Sequence, residues 1–334
     1  MTTPRIPLNL FGIPFGLAGL AGAWLTLAES GGSAVVGDVL LAASAAVWIL
    51  LVVLYLLHGL AETGRFVGDL LDPIASPFAS LALITPVLLG AEGLYPHAAT
   101  AGRVVVDVFI ALVVLLAAWF TGQWMYGPLE FTKLHPGYFL PSVAGGLVAS
   151  IGAADVGQPH LAEAMFGLGV VCWLVIGSMI LARLFFQPLL PTPLVPTYAI
   201  EVAPAAVATL AYFALRGDQL AEVPAFLTGY GVLMVLAQVR LLPVFVRLRF
   251  MPSFWAFTFS WAAVATAGLH WLDVLHPAGY VGYEYVVISL ITVFIGAIGV
   301  RTVVAVARGQ LLPASAPPVT PAIEERLEGS AAHV

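Results

Sequence analysis

The stretch Gly37-Asp-Val-Leu-Leu-Ala-Ala-Ser-Ala-Ala-Val-Trp-Ile-Leu-Leu-Val-Val-Leu-Tyr-Leu-Leu-His-Gly-Leu60 carries one charged side chain, Asp38, near its start. A helix needs about 20 mostly apolar residues to cross the hydrocarbon of a bilayer. This run meets that length without a break, and it fixes how the rest of the chain is read. Nine further segments of the same kind occur, at 8–28, 76–95, 101–123, 137–154, 160–185, 195–215, 222–243, 252–274 and 282–306. The joints carry turn-forming residues: Glu29-Ser30-Gly31-Gly32, Tyr95-Pro96-His97, Gly157-Gln158-Pro159, Arg216-Gly217-Asp218 and His276-Pro277. The fold class expected is therefore an all-α integral membrane protein of ten transmembrane helices.

Composition agrees. Of 334 residues, 61% are hydrophobic and 9% charged, with a mean hydropathy of +1.01. A soluble domain carries about 25% charged residues. A polar surface cannot be built from so few, so the bilayer is the solvent. The lone cysteine, Cys172, excludes an internal disulfide framework. No nucleotide-binding loop, metal spacing, cofactor motif or nucleophile with its base is present, so an enzyme is not expected. No Lys/Arg-rich block points to nucleic acid. The first apolar segment reads as a membrane helix and not as a removed leader. Residues 1–309 form one transmembrane domain. The Pro-rich stretch 310–334 reads as a disordered tail.

Basic residues set the orientation. With the N-terminus inside, the cytoplasmic side collects Arg5, Arg65, Lys133, Arg183, Arg240, Arg247, Arg249, Arg308 and Arg326, while the other side collects Arg103 and Arg216. Arg301 falls within the last span. Both termini are expected in the cytoplasm of a cell whose inner (plasma) membrane holds the protein. This requires an even number of spans.

Four odd-numbered spans carry a proline near their middle: Pro14, Pro86, Pro141 and Pro204. Such a proline removes a hydrogen bond and kinks a helix. In lipid the freed carbonyl needs protein or water. The prolines either serve packing alone or mark the helices that line a path. Glycines such as Gly12, Gly16 and Gly19 accompany them, and small residues let helices approach closely. The alternation suggests five helical hairpins with the odd helices around a central pore. The ninth span has aromatics where the others have proline, in Phe254-Trp255-Ala256-Phe257-Thr258-Phe259, and these, Phe257 among them, either face the path and block it or serve packing and lipid contact.

Ionisable groups inside a membrane are costly and often functional. Glu201 lies one turn before Pro204 and shares its helix face. It is either a carboxyl held by a neighbouring helix or a member of the path. Glu130, Lys133 and His135 cluster before the fifth span, where they gather ions or hold the loop. Few basic residues lie in the odd spans. An anion path would have to rest on helix N-termini, which attract anions without a fixed cation.

The chain resembles the tellurite-resistance/dicarboxylate transporter family, which includes bacterial TehA and the plant slow anion channels. The resemblance is carried by Phe11-Gly12-Ile13-Pro14-Phe15-Gly16-Leu17-Ala18, Ala46-Val47-Trp48-Ile49-Leu50, His135-Pro136-Gly137-Tyr138-Phe139-Leu140-Pro141 and Phe254-Trp255-Ala256-Phe257-Thr258-Phe259. Ala203-Pro204-Ala205 and Thr228-Gly229-Tyr230-Gly231 add to it, and it covers about residues 6 to 308. It implies an anion channel of ten helices in five hairpins and a homotrimer with one pore per subunit. A phenylalanine of the ninth helix, Phe259 here, would gate the pore, and Gly12 would line it. The implied partners are small inorganic or organic anions and membrane lipid. Glu201 departs from the family pattern, which has an apolar residue there. A proton-exchanging carboxyl would suit instead a coupled transporter of C4-dicarboxylate, sulfite or tellurite-related oxyanions.

Overall fold

A computed structural model describes residues 6–61, 64–127, 129–217 and 222–312. The tail expected to be disordered lies almost wholly outside these residues, as do Arg5 and Arg326. Among the described residues all regular structure is helical. The α-helices are α1 (Gly12–Glu29), α2 (Val35–Ala61), α3 (Arg65–Leu71), α4 (Leu81–Leu88), α5 (Ala99–Tyr126), α6 (Gly145–Asp155), α7 (Pro159–Phe186), α8 (Ala203–Arg216), α9 (Glu222–Phe245), α10 (Ala256–Leu275) and α11 (Tyr280–Ala307). Nine helical stretches among the described residues are long and apolar enough to cross a membrane. The tenth, α10, is as long as several of them. Its apolarity is diluted by Thr258, Ser260, Thr266, His270 and Asp273.

Burial divides the spans into two groups. The stretches containing α1, α4, α6 and α8 are 61%, 61%, 83% and 72% buried, whereas α2, α5, α7, α9 and α11 are 17%, 28%, 17%, 11% and 28% buried. A helix apolar all round and exposed all round is one that faces lipid. The inner helices contact one another in a closed circle, α1 to α4, α4 to α6, α6 to α8, α8 to α10 and α10 back to α1. Each outer helix packs on the inner helix that precedes it: α2 on α1, α5 on α4, α7 on α6, α9 on α8 and α11 on α10. The five hairpins expected from the alternating prolines are therefore present, with the odd spans inside.

Close approach between helices depends on missing side chains. A Cβ on Gly146 of α6 would lie 2.6 Å from the backbone nitrogen of Gly169 on α7. A Cβ on Gly16 of α1 would overlap the Thr258 hydroxyl of α10. Packing, and not hydrophobic exclusion, holds helices together in lipid, so these contacts set the spacing of the rings.

The prolines differ from the central kinks read from the sequence. Pro14 and Pro204 are in the first turn of α1 and α8. There a missing N–H costs nothing. Pro86 lies in α4, just before a wide turn at Leu89–Leu94, and Pro141 lies in a wide turn at Leu140–Ala144. Such widened turns accommodate a proline without losing the helix. A second set of prolines does more for the architecture. Every inner span opens with a tight three-residue-per-turn segment: Leu8–Phe11 after Pro7, Ser76–Ser80 with Pro77, Pro136–Tyr138, Thr192–Val202 with Pro193, and Pro252–Trp255. These five segments touch in a closed circle at one end of the inner ring.

Candidate functional site

The inner ring encloses a cavity of about 50 Å³. That holds a few water molecules at most. Its wall draws on all five inner spans, including Phe15, Leu81, Val143, Val207 and Phe259. The first residues of four inner α-helices border it, namely Gly12, Leu81, Ala203 and Ala256, and so does Ala144, which precedes the first residue of α6. All five helix N-termini thus converge on one space. Their first N–H groups are largely used by the tight turns, as Gly12 N–H is by the carbonyls of Asn9 and Leu10. The backbone is already helical before each of these points, so the positive end of each helix dipole is shared with the preceding tight or wide turn and reaches the cavity only in part.

Among the described residues no Lys, Arg or His lines this space. Its polar groups are Asn9, Ser253 and Ser260. The Ser260 hydroxyl donates to the Ala256 carbonyl at 2.9 Å. Asn9 Oδ1 and Ser253 Oγ are buried and have no hydrogen-bond partner among the described residues. They sit on the tight turns of the first and ninth spans, which touch each other. A buried polar group left unpaired carries a cost, so a polar ligand or water arriving there gains what the protein has withheld.

Phe259 borders the cavity, with its ring stacked on Phe15 at a centroid separation of 3.7 Å and an interplanar angle of 17°. Gly19 makes room for it, since a Cβ there would lie 2.7 Å from Phe259 Cδ2. The stacked pair crosses from α10 to α1, the most intimately packed neighbours of the ring.

The structure places the other candidates as follows. Gly12 and Pro204 border the cavity with Phe259. Pro14, Pro86 and Pro141 are buried but do not border it. Pro14 turns its carbonyl toward α2 and accepts from Ser44 Oγ at 2.7 Å. Phe257 points away, edge-on to Phe245 of α9 at 5.0 Å and to Phe294 of α11 at 6.2 Å. Glu201 is buried in the tight segment Thr192–Val202, where its Oε1 has no hydrogen-bond partner among the described residues. Three members of the site went unread in the sequence. Phe15 looked like one apolar residue among many, and Asn9 and Ser253 looked like span edges.

The cluster before the fifth span holds the loop together. Lys133 pairs with Glu130 at 2.7 Å, and the hydrogen bond and charge of that ammonium lower the Glu130 carboxyl below its usual range. His135 is wholly buried and accepts from Gly137 N–H through Nδ1 at 3.1 Å, leaving Nε2 to donate to the Ile74 carbonyl at 3.1 Å. Burial pushes its pKa down to about 4, so the ring is neutral. Arg183 of α7 grips the Thr132 and Pro188 carbonyls.

Two concentric rings of membrane helices around an axial cavity define a polytopic membrane protein whose inner space is built within one chain. Residues 5–303 match the SLAC1 family, described as voltage-dependent anion channels, and the chain belongs to that family. It is 29% identical over 264 residues to the "Tellurite resistance protein TehA homolog" of Haemophilus influenzae, covering 78% of this chain and 80% of that one. It is 25% identical over 290 residues to the "Guard cell S-type anion channel SLAC1" of Arabidopsis thaliana, covering 81% of this chain and 50% of that one. The plant "S-type anion channel SLAH4" is 31% identical over 156 residues, or 46% of this chain and 42% of its own length. The chain thus spans four-fifths of the bacterial relative and about half of the plant ones. The family resemblance read from the sequence is borne out.

Proposed function

We propose that the central cavity is the closed constriction of an anion channel, with Phe259 as the gate and Phe15 as its stacking partner. The observation that carries this reading is the convergence of five helix N-termini on a space without a fixed cation. A free helix end presents roughly half a positive charge, and each inner helix, continued by its preceding turn, presents a fraction of that here. A neutral wall with a positive field admits an anion and repels a cation, and it binds the anion weakly enough to release it. The proposed solutes are small inorganic or organic anions. The anions worth presenting in turn are chloride, nitrate, malate and tellurite. On this reading the protein sits in the plasma membrane with both termini cytoplasmic and assembles as a homotrimer with one pore per subunit. The basic residues at the tight-turn end support that orientation. The deciding experiment is current recording in oocytes or planar bilayers for the wild type and Phe259→Ala. The reading requires a large rise in anion current for the variant.

A second reading has its own observation. Glu201 Oε1 is buried without a hydrogen-bond partner among the described residues, in a segment of the inner ring. A carboxyl so placed suits a proton-coupled transporter of dicarboxylate or oxyanions. That reading requires saturable, pH-dependent uptake into proteoliposomes, abolished by Glu201→Gln. Uptake that never saturates and survives Glu201→Gln removes it.

A further inference from the structure

A second concavity lies on the lipid-facing side of the molecule. It is a groove of about 950 Å³ between α9 and α11, floored by α10. Its walls are apolar, built from Leu242 and Val246 of α9, Phe257 and Trp261 of α10, and Leu290 and Phe294 of α11. Arg249, just past α9, and Arg301, near the end of α11, also line it, at the end where the tight turns of the inner spans gather. Both side chains are exposed, and neither has an ion pair or hydrogen bond among the described residues.

Two features together say what fills this groove. The first is length. From Val287 to Arg301 the α11 wall runs roughly 21 Å at 1.5 Å per residue, and one leaflet contributes about 15 Å of hydrocarbon. The groove is therefore as deep as an acyl chain is long. The second is charge. Arg301 stands about 9 Å before the end of α11 at Ala307, counting 1.5 Å per residue, within reach of the hydrocarbon edge. An arginine at that depth needs an anionic partner or must snorkel to the surface, and no carboxylate is among the described residues that line the groove. Basic pockets between helices at this level hold anionic headgroups, and the guanidinium fork matches a phosphate in a bidentate way.

We propose that this groove is a binding site for one anionic phospholipid, its acyl chain laid along α10 and its phosphate held by Arg249 and Arg301. A second copy of the chain is the other occupant to consider. It would cover two guanidiniums that have no partner, and burying unpaired charge is strongly unfavourable.

Phe257 gives the site a reach into the ring. Its ring lines the groove, whereas Phe259, two residues on, borders the central cavity. The occupant thus packs against the same helix that carries the proposed gate.

The test reads lipid and not current, so it stands apart from the channel reading. The protein is reconstituted in nanodiscs of equal phosphatidylglycerol and phosphatidylcholine, released into mild detergent and weighed by native mass spectrometry. One phosphatidylglycerol per chain is expected to survive in the wild type, with phosphatidylcholine lost. The double variant Arg249→Gln/Arg301→Gln should lower the phosphatidylglycerol-bound fraction at least tenfold. Ala297→Trp, which fills the groove and keeps both arginines, should do the same. Equal retention by the wild type and the double variant overturns the proposal. Retention by Ala297→Trp overturns it as well, because lipid would then sit on the arginines without entering the groove. Disulfide-linked dimers formed by Leu290→Cys in a Cys172→Ala background would show the groove covered by a second copy, and would also overturn it.

Discussion

Removing the Phe259 ring should open a path that is otherwise shut. In the closed arrangement the ring stacks on Phe15 at 3.7 Å and fits over Gly19. Swinging it away forfeits an aromatic pair worth about 0.5–1.5 kcal/mol beyond its buried area. It also exposes apolar ring surface to an aqueous path, at about 1.5–3 kcal/mol for a whole side chain. The sum is about 2–4.5 kcal/mol in favour of the closed state. At 1.4 kcal/mol per factor of ten, the open fraction in the wild type is then about one in thirty to one in 1,600. Phe259→Ala abolishes the need to open, so macroscopic anion current at equal surface expression should rise by about 30- to 1,600-fold. Phe257→Ala is the matched control, since that ring faces Phe245 and Phe294 away from the cavity. It should leave current within a factor of about two. Two-electrode recordings normalised to surface-labelled protein measure both. An unchanged current in Phe259→Ala, or an equal rise in Phe257→Ala, refutes the reasoning.

Other expectations follow from neighbouring contacts. Phe15→Ala removes the stack but leaves the Phe259 ring over Gly19, so current should rise about 2- to 13-fold, the exponential of about 0.5–1.5 kcal/mol. Single-variant recordings would contradict this if Phe15→Ala matched Phe259→Ala. Ser253→Ala in the Phe259→Ala background should reduce unitary conductance by about tenfold if its hydroxyl meets the ion, since a hydrogen bond to a charge contributes about 1.5 kcal/mol or more. Thermal stability of that variant should not fall, because Ser253 Oγ has no partner to lose among the described residues. The His135 ring is neutral in the fold, with its pKa pushed from 6.5 down to about 4 by burial. The unfolded chain then binds more protons between these values, so stability is full above about pH 6.5 and falls as pH drops toward 4. At 1.36 kcal/mol per unit the loss approaches about 3 kcal/mol. Melting in detergent across that range should show the decline, and His135→Gln should flatten it.

Much of the architecture was legible because lipid imposes one rule on all ten spans. Runs such as 37–60 must be helices, and the basic residues then require an even number of them. The inner ring was legible for a subtler reason. Four of the five odd spans carry a proline inside the apolar run, at Pro14, Pro86, Pro141 and Pro204, whereas among the even spans prolines sit at the ends, as Pro224 and Pro243 do in α9. For Pro86 and Pro141 the break does fall within the span, but for Pro14 and Pro204 the reading placed it too far into the helix. Pro14 and Pro204 look central when a span is drawn as one rod from residue 8 or 195. They are first-turn residues once the preceding tight turn is counted as a separate element. Nothing in apolar periodicity tells a tight turn from an α-turn, because both bury the same residues. The signal that was present was a proline at or just before each inner entry, Pro7, Pro77, Pro136, Pro193 and Pro252.

The side-chain facing of α10 was partly concealed for a similar reason. Phe257 and Phe259 are two apart, so on a helix they point to widely different sides, and one sequence cannot say which side is the axis. The structure separates them, with Phe259 on Phe15 and Phe257 on Phe245. This separation bears on how gating can be controlled. A side chain on the axis is hard for the outer ring to touch, yet α10 is a single rigid helix with no proline between its two aromatic faces. A rotation that moves Phe257 against α9 and α11 must also move Phe259 against Phe15. On the gating role proposed for Phe259, an occupant of the outer face acts on it only by turning α10, and trimming the Phe257 ring alone does not turn that helix. Such a turn would change the room left in a cavity that holds only a few waters.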